Sequence, residues 1–413
     1  MKYQFKTGID SKEYDKFVRN FPSTSFMQTP AWSLVKTAWD NDYVGLYCDK
    51  KLVCGAMVLK RNLFLGKKLF YIPRGFVTSY DNDEALKIFV KELKNYAKKN
   101  GAIDIKIDPF ICFSEDNIQN IKKNKGIEVR KTFTLDTDKI VKKLENLGFV
   151  HGGFKKEVNA YIQPRYTMAI SLRDKDGNFY EKEELRRTFP KNTRNYIGKY
   201  HEDRGVYFSY STNKEDVKDL ISVLHCTEER QHIALRSEKY FKKLMDAFLD
   251  NAVLFFARVD IDKYIKFLKN DMKEHENKKE FCLNQIKEAE EIKKEYGNNP
   301  LAGATIVMMP TCTSGIKTAS FLYAGTNTKI LPSLKITNGL MFYRLCYCLD
   351  KSCDYCDLGG IDGSLEDHLS TFKSKFNPNV LELVGEYDLV INKFWYKAFN
   401  MLMGIRKFIR SKR

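Results

Sequence analysis

Between residues 357 and 376 the chain reads DLGGIDGSLEDHLSTFKSKF, which gathers residue types able to manage charge at a reacting centre. Lys373 follows Phe372 on a segment with helical spacing, so a cation is held beside an aromatic on a rigid element. The apolar run 355–358 reads as a buried strand, and Gly359, Gly360 and Gly363 then allow a tight turn with close backbone approach. Ser364 is the expected N-cap of the helix, with Asp367 three residues on as a weak capping-box partner. By itself this block is equally a strand–helix joint with a solvated lysine.

The chain around it has 413 residues, more than one small core needs, and two domains are expected. The excess of 70 Lys+Arg over 53 Asp+Glu gives a net charge of +17, which favours polyanionic partners: RNA, anionic lipid or diphosphate. No apolar run approaches the roughly 18–20 residues that span a bilayer. The first residues, MKYQFKTGIDSKEYDKF, have no signal-peptide h-region, so a cytoplasmic protein is expected. Cys346, Cys348, Cys353 and Cys356 crowd into CYCLDKSCDYC, where a zinc knuckle or a redox pair is one reading. Cys346 and Cys348 fall two apart on an expected helix and face different directions, while Cys356 joins the next strand. Buried or half-buried reduced thiols, with no bound metal, are therefore expected.

Periodicity sets out the elements that must position the chemistry. Helices are expected over 11–20, 30–39, 82–99 and 139–147, a β-hairpin over 44–61, and strands over 68–72 and 102–108. The pattern restarts with a strand at 166–172, a basic helix over 182–203 and a strand at 206–210. Helices at 214–230 and 238–248 follow, then strands at 252–259, 302–309 and 318–324. Two successive modules of this kind indicate a duplicated α/β unit rather than a single doubly wound sheet. Late strands within 380–390 return toward the first domain.

Between the strands at 252–259 and 302–309, Ile261, Ile265, Leu268 and Met272 recur at helical spacing, and Cys282, Ile286, Ala289, Ile292 and Tyr296 do so on the return. Each half carries one apolar stripe, which predicts an antiparallel helical hairpin. Its nine Lys balance nine Asp+Glu over 262–295, so it reads as a solvated arm at least as well as an RNA grip. In the tail, Trp395, Phe399, Leu402, Ile405 and Ile409 share a helical face, with Lys397, Arg406, Lys407, Arg410, Lys412 and Arg413 and no acid among them. Such an end suits an anionic membrane surface, or a helix docked on the first domain with its cations serving the dipole.

The block DLGGI…FKSKF resembles the "DxGGI…FKxxF" signature of the Fem family of aminoacyl-tRNA-dependent peptidyl transferases, which add amino acids to the stem peptide of peptidoglycan precursors. Other segments resemble the family in the same order: SFMQTPAWSLVKTAW (25–39), YIPRGF (71–76, with Phe76 where proline is usual), IDIKIDP (103–109), IQPRYTMAISL (162–172), TFPKNTRNYIGK (188–199), LRSEKYF (235–241) and FLYAGT (321–326). Together they cover most of the chain. The resemblance implies an α/β (α+β) protein of two acetyltransferase-like (GNAT-like) domains. These are residues 1–150 plus 380–413 and residues 151–379, with a coiled-coil arm inserted at 260–298. It implies that Lys36 and Arg236 hold the diphosphate of the precursor, and that Trp39, Tyr71, Arg74, Tyr240, Tyr323 and Phe372 line the site. The implied partners are aminoacyl-tRNA and a lipid-linked or UDP-linked muropeptide; the basic amphipathic tail adds the expectation of peripheral contact at the membrane face.

These residue types suit that chemistry. A guanidinium meets phosphate oxygens bidentately, a lysine adds a point charge, and aromatics pack on sugar or peptide. An aminoacyl ester is already activated, so amide formation needs no ATP or other cofactor. It needs alignment, a proton acceptor and oxyanion stabilisation. Lys373 is the candidate for the oxyanion or a tRNA phosphate; Asp108 either orients or deprotonates the amine, or is a structural strand end before Pro109. The rivals are an acyl-CoA N-acyltransferase, whose pyrophosphate turn at a helix start is not found, and a non-catalytic RNA or membrane adaptor. A P-loop motif is lacking.

Overall fold

The computed structural model describes residues 2–411 apart from 23, 125–136, 161, 199–201 and 233, and side chains through residue 405. Two mixed sheets organise the chain. The first runs in the order Tyr3–Lys6, Asp40–Cys48, Lys51–Asn62, Lys68–Ile72, Ala102–Ile107, Tyr387–Val390 and Val150–His151, with Val77–Thr78 paired to the third strand. The second runs Val206–Ser211, Ala252–Val259, Leu301–Met308, Thr318–Thr326, Tyr355–Ile361, Tyr166–Ser171, Asn379–Leu383 and Cys112–Asn117.

Each sheet is antiparallel except at one comparable place. Lys68–Ile72 pairs parallel with Ala102–Ile107, and Thr318–Thr326 pairs parallel with Tyr355–Ile361. A parallel pair cannot be closed by a tight hairpin and needs a crossover, usually helical. The helices Asp83–Lys99 and Ile336–Asp350 supply it. This repetition is the duplicated α/β unit that the sequence pattern predicts.

The sheets exchange strands across the division at residue 150. Cys112–Asn117 sits at the edge of the second sheet, beside Asn379–Leu383, while Tyr387–Val390 returns to the first. Lys106 anchors that return, its Nζ donating to Glu386 (3.0 Å) and Asp388 (2.6 Å). One core mixes the lobes: Trp32, Met57 and Tyr71 pack in the same cluster as Leu220, Phe241 and Ile306.

Several expected elements are redrawn. The helix expected over 30–39 stops at Val35, with Lys36 as its C-cap. The basic helix expected over 182–203 is two pieces, Lys182–Arg187 and Lys191–Ile197, because Pro190 has no N–H to continue the ladder and instead begins the second piece; residues 199–201 lie outside the described ones. The helix bearing Lys373 is His368–Ser374, and its N-cap is Asp367, not Ser364. A single Asp367 oxygen accepts from the N–H groups of Leu369 and Ser370, satisfying two otherwise orphaned donors. The glycines also lie differently: the strand continues through Gly359 and Gly360 to Ile361, with a register shift between Asp357 and Gly360.

The inserted arm forms as expected from helices Ile261–Glu274 and Lys279–Tyr296, which bury Ile261, Tyr264 and Leu268 with Cys282, Ile286, Ala289 and Ile292. Gln285 ties it to the body by accepting from Ser333 (2.6 Å). All ten cysteines are free thiols. Cys348, Cys353 and Cys356 are buried together; the hydrogen bond with Cys348 and burial push the Cys353 thiol up, while for Cys348 the lowering by Cys353 is outweighed by the hydrogen bond to Cys356 and burial.

Candidate active site between the lobes

The short helix Pro30–Val35 presents Trp32, and its C-cap Lys36 reaches back so that Nζ lies 4.4 Å from the indole centroid. Lys36 is half-buried, and burial, reinforced by the positive charge of Arg236, lowers its pKa to about 8. Arg236 comes from the segment before the helix Glu238–Phe248, across the lobe boundary. Its guanidinium stacks 5.4 Å from the Tyr240 ring, and a hydrogen bond to Tyr323 raises its pKa. Tyr240 and Tyr323 meet edge-to-face at 6.2 Å. Among the described residues neither Lys36 nor Arg236 has a carboxylate partner. Two cations brought together without a counter-ion form a site for an anion.

One turn further on, the Trp39 N–H donates to the Lys36 carbonyl (2.9 Å), and the Trp39 ring packs 6.3 Å from Tyr71. Tyr71 Oη donates to Asp108 Oδ2 (2.8 Å), while the backbone N–H of Arg74, in the left-handed region at φ 50°, donates to Asp108 Oδ1 (2.6 Å). Asp108 is 1% exposed, and burial pushes its pKa up to about 6 against the pull of Arg74 and these two hydrogen bonds. The Arg74 guanidinium donates to the Pro164 carbonyl (3.2 Å), linking this wall to the second lobe.

Pro164 lies against the glycine strand: a Cβ at Gly360 would fall 2.2 Å from Pro164 Cγ, and one at Gly363 would fall 2.6 Å from the Tyr166 ring. Gly359, at φ 84°, would meet the Phe321 carbonyl at 2.9 Å. The close approach expected of these glycines is therefore real, although they lie in a bulged strand and the turn beyond it. Lys373 Nζ donates to the carbonyls of Gly359 (2.9 Å) and Gly360 (3.0 Å), and the residue is only 5% exposed. Burial lowers its pKa to about 8, opposed by Asp357 and Asp367 and assisted by Arg344. Phe372 is half-buried and stacks edge-to-face on Phe376 at 5.7 Å.

The structure thus brings Lys36, Arg236, Tyr240 and Tyr323 into one group and Trp39, Tyr71, Arg74 and Asp108 into an adjoining one. Lys373 and Phe372 form a third group, behind the Gly359–Gly360 carbonyls. Sequence reasoning passed over two residues here. Asp357 Oδ1 accepts from the Gly359 N–H (2.9 Å) and from the Thr167 hydroxyl, fixing the bulge. Arg344 is buried, donates to Thr305 Oγ1 (2.9 Å) and stacks 4.5 Å from the Phe321 ring. A lone arginine in the apolar run ITNGLMFYRLCYC was its available signal. No group of metal-ligating side chains is found among the described residues.

Residues 9–285 and 272–403 match the model of the FemAB family. The chain is 26% identical to "Lipid II:glycine glycyltransferase" of Staphylococcus haemolyticus (strain JCSC1435), covering 96% of this chain and 95% of the relative. It is 25% identical to "Aminoacyltransferase FemA" of Staphylococcus aureus (strain N315), covering 97% and 98%. Among solved structures, the crystal structure of FemX superposes with a TM-score of 0.74 at 23% identity over 96% of this chain and 99% of that one. A tandem GNAT protein from the clavulanic acid pathway gives 0.50 at 9% identity over 95% and 99%. The fold is therefore the two-lobed GNAT-like one expected from the resemblance, and the chain belongs to the FemAB family.

Proposed function

We propose that this protein transfers an aminoacyl group from aminoacyl-tRNA to the stem-peptide amine of a peptidoglycan precursor, building the interpeptide bridge. The acceptor is the lipid-linked form rather than the UDP-linked one, so the enzyme works in peripheral contact with the membrane face. The observation that carries the reading is the pair Lys36 and Arg236, contributed by different lobes and without a carboxylate partner among the described residues, in a family whose curated relatives are aminoacyltransferases. Diphosphate supplies the missing negative charge: the guanidinium engages it bidentately and the ammonium as a point charge. Tyr240, Tyr323 and Trp39 offer faces for sugar and peptide.

The chemistry asks for alignment, deprotonation of the amine and a donor for the oxyanion. An ammonium has three N–H donors. The Gly359 and Gly360 carbonyls engage two of those on Lys373, which leaves one for the developing oxyanion or a tRNA phosphate. Asp108 has both oxygens engaged by Tyr71 and Arg74, an arrangement that supports a positioning part for this carboxylate. The account needs no cofactor, because the ester is already activated.

Incubating the protein with charged tRNA and lipid-linked precursor tests this reading. An acceptor heavier by one aminoacyl residue is expected. An unchanged acceptor, or a product formed from acyl-CoA without tRNA, would overturn it.

A further inference from the structure

The terminal helix Lys393–Ser411 is docked on one side only. Tyr396 Oη donates to Asp388 (2.6 Å), and the Trp395 ring packs edge-to-face on Phe64 at 5.5 Å. Phe64 belongs to the short turn Phe64–Gly66 between two strands of the first sheet, and Leu65 at its tip is 76% exposed in the left-handed region. Phe394, whose ring meets that of Trp395 at 5.2 Å, is 71% exposed. Met401, Leu402 and Ile405 are exposed too, at spacings of seven, eight and eleven from Phe394, so they share one helical face. Two elements 330 residues apart in the chain thus contribute to one apolar surface, joined through the Phe64–Trp395 contact.

Cations accompany this surface. Lys67 lies 5.7 Å from the Trp395 ring, and Lys393 and Lys397 are exposed on the helix. The sequence adds Arg406, Lys407, Arg410, Lys412 and Arg413, and residues 389–413 contain no Asp or Glu. An RNA would use the cations but would gain nothing from exposed Leu65, Met401 and Ile405. A bilayer with anionic headgroups uses both: apolar side chains enter the acyl boundary while lysines and arginines meet phosphate.

We propose that the Phe64–Gly66 turn and the exposed face of the terminal helix together form a docking surface for an anionic phospholipid bilayer. Leu65 and Phe394 would be the inserting wedge, and Lys67, Lys393 and Lys397 the headgroup contacts. This deepens the membrane reading above and rests on it, because it says which surface turns toward the lipid-linked acceptor.

The test is co-sedimentation of the full chain with phosphatidylcholine vesicles made with and without phosphatidylglycerol. Partitioning should be at least about tenfold stronger with phosphatidylglycerol, fall as salt rises, and drop about tenfold or more in the double variant Leu65→Asp/Phe394→Asp. Both positions are exposed, and an unchanged melting temperature would verify the fold. Ile405→Asp provides a second, independent perturbation of the helix alone. Equal partitioning into both vesicle types would overturn the proposal. So would a variant that binds vesicles as before, or one that loses tRNA affinity instead. Transfer to the lipid-linked acceptor held in detergent micelles, without vesicles, is measured alongside. If transfer persists without vesicle binding, the docking surface alone is refuted. If vesicles bind but no acceptor is ever extended, the transferase reading alone is refuted.

Discussion

Burial lowers the pKa of both Lys36 and Lys373 to about 8, but the charges around the two are opposite. After burial, what acts on Lys36 is another cation, Arg236, and it has an aromatic face in place of a carboxylate. Lys373 is almost fully enclosed but well provided for, with two carbonyls in contact and Asp357 and Asp367 pulling its pKa back up. An unbalanced cation pair is complementary to an anion that arrives; a balanced one holds its own protein together and has a single donor to spare. The difference fits the roles proposed above, binding for the first lysine and charge development during reaction for the second.

The largest effect should come from the second. Lys373→Met should lower single-turnover transfer about 10²–10³-fold at saturating acceptor, with acceptor affinity little changed. The variant should also melt earlier, because two half-buried carbonyls lose their partner, at about 1 kcal/mol each. A full-rate Lys373→Met enzyme would reduce Lys373 to a strut for the glycine bulge. Next in size, Arg236→Ala should weaken acceptor binding by about 10–100-fold and leave saturated turnover near normal. Titration calorimetry reads that directly, and a turnover defect without an affinity defect would reverse the two roles.

The pH dependence sharpens the contrast. Both lysines are charged below their pKa of about 8 and lose the charge as pH rises through it. Above pH 8, deprotonation of Lys36 should appear as a loss of affinity and that of Lys373 as a loss of turnover. Diphosphate beside Lys36 should also raise its pKa back toward the ordinary value, so acceptor binding near pH 8 should take up a proton. Binding heats that are the same in buffers of different ionisation enthalpy would exclude that uptake. The smallest effect concerns the neighbouring wall: Tyr71→Phe removes one hydrogen bond to Asp108, costing about 1 kcal/mol of stability. Because that bond lowers the Asp108 pKa, its loss should move the acid limb of the rate profile above pH 6. An unmoved limb would detach Asp108 from the reaction.

Where local chemistry decided the structure, the sequence was legible. Helices Ser11–Asn20 and Glu238–Phe248 end where their polar caps and apolar periods end, and the arm follows from two apolar stripes that need each other. Legibility failed where the partner lay elsewhere in the chain. Cys112–Asn117 reads CFSEDN, too polar to announce a strand, because it is an edge strand with one neighbour and little apolar burial. The helical spacing runs on through 182–203 and masks the break that Pro190 makes between the two short helices. At the site, residue types identified Lys36, Arg236 and Lys373 only with the family pattern beside them. Arg344 and Asp357 act through burial and a bulge, so their parts depend on tertiary neighbours even where a lone arginine in an apolar run or the Asp of DLGGI stands out.

The central claim is that one anion joins the two lobes through Lys36 and Arg236. A double-mutant cycle on binding of the intact precursor, with Lys36→Met, Arg236→Met and both, measures it most directly. The account predicts strongly non-additive losses for the diphosphate-bearing precursor and no loss for the same stem peptide lacking diphosphate. Additive losses, or equal losses for both ligands, would contradict it.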